Sequence, residues 1–247
     1  MYRNSRKKII HVITIIVIIF AVFCIAGILA LKYQVEGETN LPFEITKISI
    51  IESSEGIEQE GLEEKWNFNV NQNNDIYIYI EKNSKYDKTE IIEEIKIDNI
   101  IINKNNSKGE TKLYKPVKDE KIMFKNITEN EISEITYTGE LESNIKEQKI
   151  SNQGGIIVFR YAINNIAQYV SNENDEIDYS KLLQLTGVKQ EDLQTKLSFN
   201  ITIKLTTGRK YQATIDLEIH TNEIIEKGTV GIEKTDLKNI IFKRIEN

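Results

Sequence analysis

Cysteine, histidine, tryptophan and proline are all scarce in this chain, with one, two, one and two copies in 247 residues, and each shortage removes a class of chemistry. The single cysteine, Cys24, lies inside an apolar run, so no intrachain disulfide can staple the residues after it and stability has to come from a hydrophobic core. With His11 in the same run, His220 is the only histidine beyond it; a tetrahedral zinc site built from Cys and His is excluded. A Ser-His-Asp arrangement would have to use His220, yet no G-x-S-x-G elbow presents a serine. No phosphate-binding or dinucleotide fingerprint occurs either, so no cofactor is expected.

Basic charge is also in deficit. The chain carries 32 basic and 38 acidic residues, and leaving aside the four basic residues ahead of the apolar run makes the remainder 28 against 38, or −10. Such a surface repels bare polyanions, so nucleic acid is not an expected partner. Composition is otherwise that of a folded chain, 40% hydrophobic and 28% charged, too polar for several membrane spans. The abundance of Ile, Asn, Lys and Glu reads as the coding bias of an AT-rich bacterial genome.

The apolar run itself is Ile9 to Leu31, 23 residues without formal charge. At about 1.5 Å per residue it reaches roughly 34 Å, enough for a hydrocarbon core. Arg3, Arg6, Lys7 and Lys8 precede it, which by the positive-inside rule places the N-terminus in the cytoplasm and the remainder outside the cell membrane. The run is too long for a signal-peptide core and lacks an A-x-A-like site, so it is expected to stay as an anchor. His11 falls close enough to Lys8 to sit at headgroup depth, and Cys24 follows Phe23, not the small residue that lipidation requires. Ala26 and Ala30 form a weak small-xxx-small pattern for self-association. The expected organisation is a cytoplasmic N-terminus (1–8), a transmembrane helix (9–31), a stem (32–41) and an extracytoplasmic β-rich domain (42–247) with a possible subdivision near 152–155.

Within that domain the patterning is of strands. Phe43 to Ile51 reads as a first strand and Ser53 to Lys65 as a polar loop. Trp66 to Lys82, WNFNVNQNNDIYIYIEK, reads as a hairpin: Trp66, Phe68 and Val70 share a parity with Ile76, Ile78 and Ile80, around an odd-length loop at Asn73–Asp75 or Asn71–Asp75. That parity places Trp66 in the core. A second hairpin, Leu197 to Ile219, alternates around a loop containing Gly208. Further strands are expected at Ile91–Ile102, with a bulge at Asp98-Asn99, at Thr111–Tyr114, Ile122–Phe124, Ile132–Tyr137 and Ile240–Ile245. Ile156–Ile163 is apolar on both faces except Arg160, which marks a central strand whose guanidinium needs a structural ion-pair partner. One short helix near 178–186 is capped by Asp178 and stopped by Gly187, and a second turn follows at Gln190–Leu193. The fold class is therefore mainly β, an antiparallel β-sandwich of Ig-like architecture without the Cys and Trp hallmarks of antibody domains.

Candidate chemistry is sparse. The acidic run Asn172 to Asp178 fails as a calcium loop, because the glycine position holds Ile177 and the twelfth position Leu183. N-x-[ST] triplets at Asn105, Asn126 and Asn200 matter only in a eukaryote-like secretory pathway. The tyrosines are the distinctive feature. The second hairpin has an ordinary polar outer face, whereas the outer face of Trp66–Lys82 carries Tyr77 and Tyr79 together with Asn67 and Asn69. These four residues are the candidate binding surface, with the tyrosines either covered by another part of the domain or exposed as an amphipathic strip. The layout resembles that of single-pass envelope proteins of low-GC bacteria, in organisation and not in any motif, so no site residue is carried over. The expected function is a non-catalytic binding or assembly module of the cell envelope, with an envelope or membrane protein as partner. The alternative is an extracytoplasmic hydrolase that acts on cell-wall or glycan substrates through a pair of carboxylates.

Overall fold

The computed structural model describes residues 14–29, 41–59, 65–104, 108–118, 121–142, 148–171, 176–219 and 223–245. The N-terminus 1–8, both ends of the 9–31 run with His11 and Ala30, most of the stem, Asn105, residues 172–175 of the acidic run and His220 lie outside the described residues.

Residues 14–29 form a helix, α1, in which all sixteen residues are exposed, Phe20 and Phe23 among them. No helix among the described residues is long and apolar enough to cross a membrane, so the predicted span of 9–31 rests on sequence.

The rest is mainly β, in two sheets. The first has the order β10-β1-β2-β7-β4, built from β1 (Phe43–Glu58), β2 (Asn67–Lys82), β4 (Glu110–Tyr114), β7 (Gly155–Val170) and β10 (Thr229–Lys234). All its pairings are antiparallel. The second has the order β11-β9-β8-β3-β5-β6, from β3 (Ile92–Lys104), β5 (Ile135–Gly139), β6 (Gln148–Ile150), β8 (Thr195–Leu205), β9 (Lys210–Ile219) and β11 (Lys243–Ile245). Here β5 and β6 run parallel, so the sheet is mixed.

One hydrophobic core, drawn from Phe43 through Phe242, lies between the sheets. Period-two alternation explains it: Ile48 and Ile50 on β1, Ile76, Ile78 and Ile80 on β2, and Ile157 and Phe159 on β7 all point inward, against Phe199, Ile201 and Ile203 of β8. Phe159 meets Phe199 edge to face at 5.4 Å. The short helices α2 (Leu182–Leu185), α3 (Gln190–Leu193) and α4 (Ile224–Lys227) close one end, with Leu182, Leu183, Leu193 and Ile224 buried. Asp178 caps this region, its Oδ1 accepting the Ser180 N–H at 3.0 Å. Gly228 ends α4 at φ 69°, where a Cβ would stand 2.3 Å from the Ser180 carbonyl oxygen, so only glycine fits.

Several expectations are met. The Leu197–Ile219 hairpin forms as β8 and β9, with Gly208 at φ 82°. The β3 bulge falls where the parity shifts, with Asn99 at φ 51° and the register slipping between Asp98 and Ile101. Ile156–Ile163 lies in β7, a central strand.

Others are corrected. Trp66–Lys82 is no hairpin; β2 runs unbroken through Asn71–Asp75 and pairs along its length with both β1 and β7. Ser53–Glu58, read as loop, is the second half of β1, held by pairing with Phe68–Asn73. The buried amides explain why: Asn74 Nδ2 donates to Gln72 Oε1 and to the Tyr161 carbonyl, and Asn73 Nδ2 donates to Glu55. Asn71 Oδ1 accepts the N–H of Asn165, whose φ of 51° marks a bulge in β7. Trp66 is 47% exposed, because it precedes the strand and stacks on the flank of Phe68 instead of entering the core. Ile122–Phe124 is a non-regular strap in which only Phe124 is buried.

Tyr137 ties the sheets together. β4 pairs with β7 only at Arg160–Asn164, so the N–H and C=O of Val158 on that side have no strand partner among the described residues. The Tyr137 hydroxyl supplies both, donating to the Val158 carbonyl at 2.6 Å and accepting its N–H at 3.0 Å. Burial pushes this phenol up to about 12. Tyr137→Phe is expected to orphan two backbone groups and cost about 2 kcal/mol, read as a lower urea midpoint; an unchanged midpoint would show that solvent replaces the hydroxyl.

Candidate functional site

The outer face of the first sheet is set by the same alternation that builds the core. Even-numbered β2 residues point inward, so Asn73, Asp75, Tyr77 and Tyr79 point outward. Register then sets their neighbours: Ser49 beside Tyr77 and Lys47 beside Tyr79 on β1, Val158 and Ile156 on β7, and Gly231 and Glu233 on β10.

Half of this face is covered. The strap around 121–127 lays Phe124 on Ala162, Tyr114 and Val158. Arg160 lies beneath it in a two-point ion pair with Asp75, at 2.6 Å from Nε and 3.1 Å from Nη2. Its remaining amine reaches Asn126 Oδ1 at 3.1 Å, and its guanidinium lies 4.6 Å from the Phe124 ring centre. Asn126 in turn donates to Asn73 and Asn164. The partner expected for Arg160 is thus present, and it serves to pin the strap.

The other half is open. Tyr77 and Tyr79 are half-buried, and with Ser49, Ile51, Gly231 and Glu233 they line a groove of ≈ 380 Å³. The Tyr77 hydroxyl reaches Met123 Sδ at 3.6 Å, so the strap touches this ring at its edge. Partial burial, followed by the nearby Asp75, holds its phenol above the usual range. Over Tyr79 stands the ammonium of Lys47, 4.3 Å from the ring centre and 3.0 Å from Glu233. Ile51 and Ile156 continue the surface at 40% and 48% exposure. Tyrosine faces, isolated aliphatics and a carboxylate make an amphipathic surface suited to contact with another molecule.

No family model, curated protein or solved structure matches the chain. The site therefore rests on its own geometry.

Of the four candidate residues, the structure brings together two. Asn67 and Asn69 share the outer side of β2 but lie eight or more residues from Tyr77, about 26 Å along an extended strand. There Asn67 Oδ1 accepts from Gln168 Nε2 at 2.8 Å. The residues that complete the tyrosine surface, Ile51, Gly231 and Glu233, went unread because strand pairing brings them there from afar; β10 and β6 carried no patterning strong enough to mark them as strands.

Among the described residues no three His, Cys, Asp or Glu side chains converge to hold a metal ion. The most unusual carboxyl group is Glu52, on the inner face of β1 opposite Asn74 and Val230, wholly enclosed, with neither oxygen hydrogen-bonded among the described residues. Burial alone pushes it up to about 7. Its side chain is enclosed and lines no open cleft described among these residues.

Proposed function

We propose that this chain is a single-pass, membrane-anchored module of the cell envelope that holds an Ig-like sandwich outside the membrane and works by binding a protein, without catalysis. The observation that carries the reading is the open tyrosine groove, two half-exposed rings on a flat sheet face beside Ile51 and Ile156. Anchoring is supported by the charge-free Ile9–Leu31 run behind Arg3, Arg6, Lys7 and Lys8, and by the full exposure of the described part of that helix.

Membrane fractionation combined with crosslinking tests both halves. The full chain should remain with membranes after alkaline carbonate washing and be cut by protease added outside the cell. A discrete crosslinked species should form and disappear in a Tyr77→Ala, Tyr79→Ala variant whose circular dichroism is unchanged. Release by carbonate would defeat the anchor, and an identical crosslinked species in the variant would move the interface elsewhere.

A further inference from the structure

Past Tyr79, the outer face that carries the groove ends in a charge pattern that the fold itself does not need. Glu44 and Glu81 stand directly opposite each other in the β1–β2 register, both exposed, and like charges so placed repel. Both are on the outer face, Glu81 being next to Tyr79 in the alternation of β2. Glu233 approaches from β10 on the other side of the groove. Glu44 and Glu81 thus extend the outer face past Tyr79 as an unbalanced acidic end, on a domain whose wider charge is already −10 by count of residues 32–247. Aromatic faces and carboxylates together select cations, by ring quadrupole and by charge. Lys47 shows the chemistry at work, its ammonium held between the Tyr79 ring and Glu233.

The groove also has room. At Gly231 a Cβ would meet nothing within 4 Å, and no left-handed backbone angle requires glycine there. β10 has β1 as its neighbour and is the last strand of its sheet among the described residues, so none of their strands flanks the groove on that side.

From this we infer that the groove receives a basic, extended segment of a partner protein, which lies along Tyr77 and Tyr79 and pairs its Lys or Arg side chains with Glu44 and Glu81, beside the Glu233 that Lys47 already engages. The inference rests on the binding reading above and gives it a partner chemistry.

The test uses the full chain in nanodiscs of zwitterionic lipid and a fluorescein-labelled peptide alternating lysine with valine, beside a counterpart with glutamate for lysine. The lysine peptide should bind and the glutamate peptide should not. Affinity should fall about tenfold in Glu44→Gln/Glu81→Gln, consistent with loss of two exposed ion pairs. A Gly231→Trp variant, which fills the groove, should behave likewise. Glu191→Gln/Glu226→Gln, which removes the same charge from exposed sites elsewhere, should change affinity less than about twofold. Equal losses in the two charge variants would mean non-specific attraction and overturn the inference, as would no binding at all. Crosslinking in native membranes separates the two levels. A partner captured through position 79 with no lysine-peptide binding would leave the binding reading standing and sink the basic segment; absence of both would sink the two together.

Discussion

Arg160→Ala should cost the domain about 3 kcal/mol, the low end of the loss expected when one member of a buried ion pair is removed. Arg160 and Asp75 are 12% and 14% exposed at their side chains, so Asp75 would be left charged under the strap without its two-point partner. Asn126 would lose the donor to its Oδ1, and Phe124 the cation beside its ring. The strap should loosen before the sheets do, because Phe124, Tyr114, Ala162 and Val158 form their own small cluster apart from the main core. Two readouts check this: the urea midpoint of the full chain in detergent, and amide exchange across 121–127. The double variant Arg160→Leu/Asp75→Leu should cost less than the two single changes added together, by about 1 kcal/mol or more. Strict additivity, or a loss of under about 0.5 kcal/mol for Arg160→Ala, would show that the pair is not what holds the strap.

Glu52 makes the opposite kind of contribution. Its carboxyl is raised from an ordinary 4.5 to about 7 by burial, so the folded state holds the proton more tightly than the unfolded chain. Stability from this group is therefore complete below about 4.5, declines as pH rises between the two values, and stays reduced above about 7. At 1.36 kcal/mol per unit the cost at pH 8 is about 3 kcal/mol. Glu52→Leu should recover most of it, since the amide of Asn74 across the strand is engaged by Gln72 and the Tyr161 carbonyl and would not be orphaned. The gain should be large at pH 8 and small at pH 4. Thermal melts of both proteins at those two pH values decide it; a gain independent of pH would mean that packing, and not ionisation, is what changed.

The two residues also show how far sequence reading reaches. Arg160 was legible because a single charge in IIVFRYAI breaks an apolar run on both faces, and a charge there must be paired. The β8–β9 hairpin, the bulge at Asn99 and the Asp178 cap were legible for a similar reason: each is a local pattern whose cause lies within a few residues. Glu52 was not, because ESS reads as the edge of a loop and nothing local says that β2 will run beside it. The misreading of β2 has the same root. NQNND has the composition of a turn, and only distant partners, Glu55, Tyr161 and Asn165, make those amides comfortable in a buried strand. One clue was present: the apolar residues Phe68, Val70, Ile76, Ile78 and Ile80 keep one parity across Gln72 and Asn74, which a continuous strand explains with no loop at all. The tyrosine surface was legible in its rings and not in its frame, since Ser49, Ile51, Gly231 and Glu233 reach it through register.

The most direct measurement is photo-crosslinking in native membranes from a benzoyl-phenylalanine placed at position 79, compared with the same probe at Thr214 on the solvent face of the second sheet. A discrete protein adduct from position 79 and none from 214 is expected; adducts of the same pattern from both positions, or none from either, would rule out a binding face at Tyr77 and Tyr79.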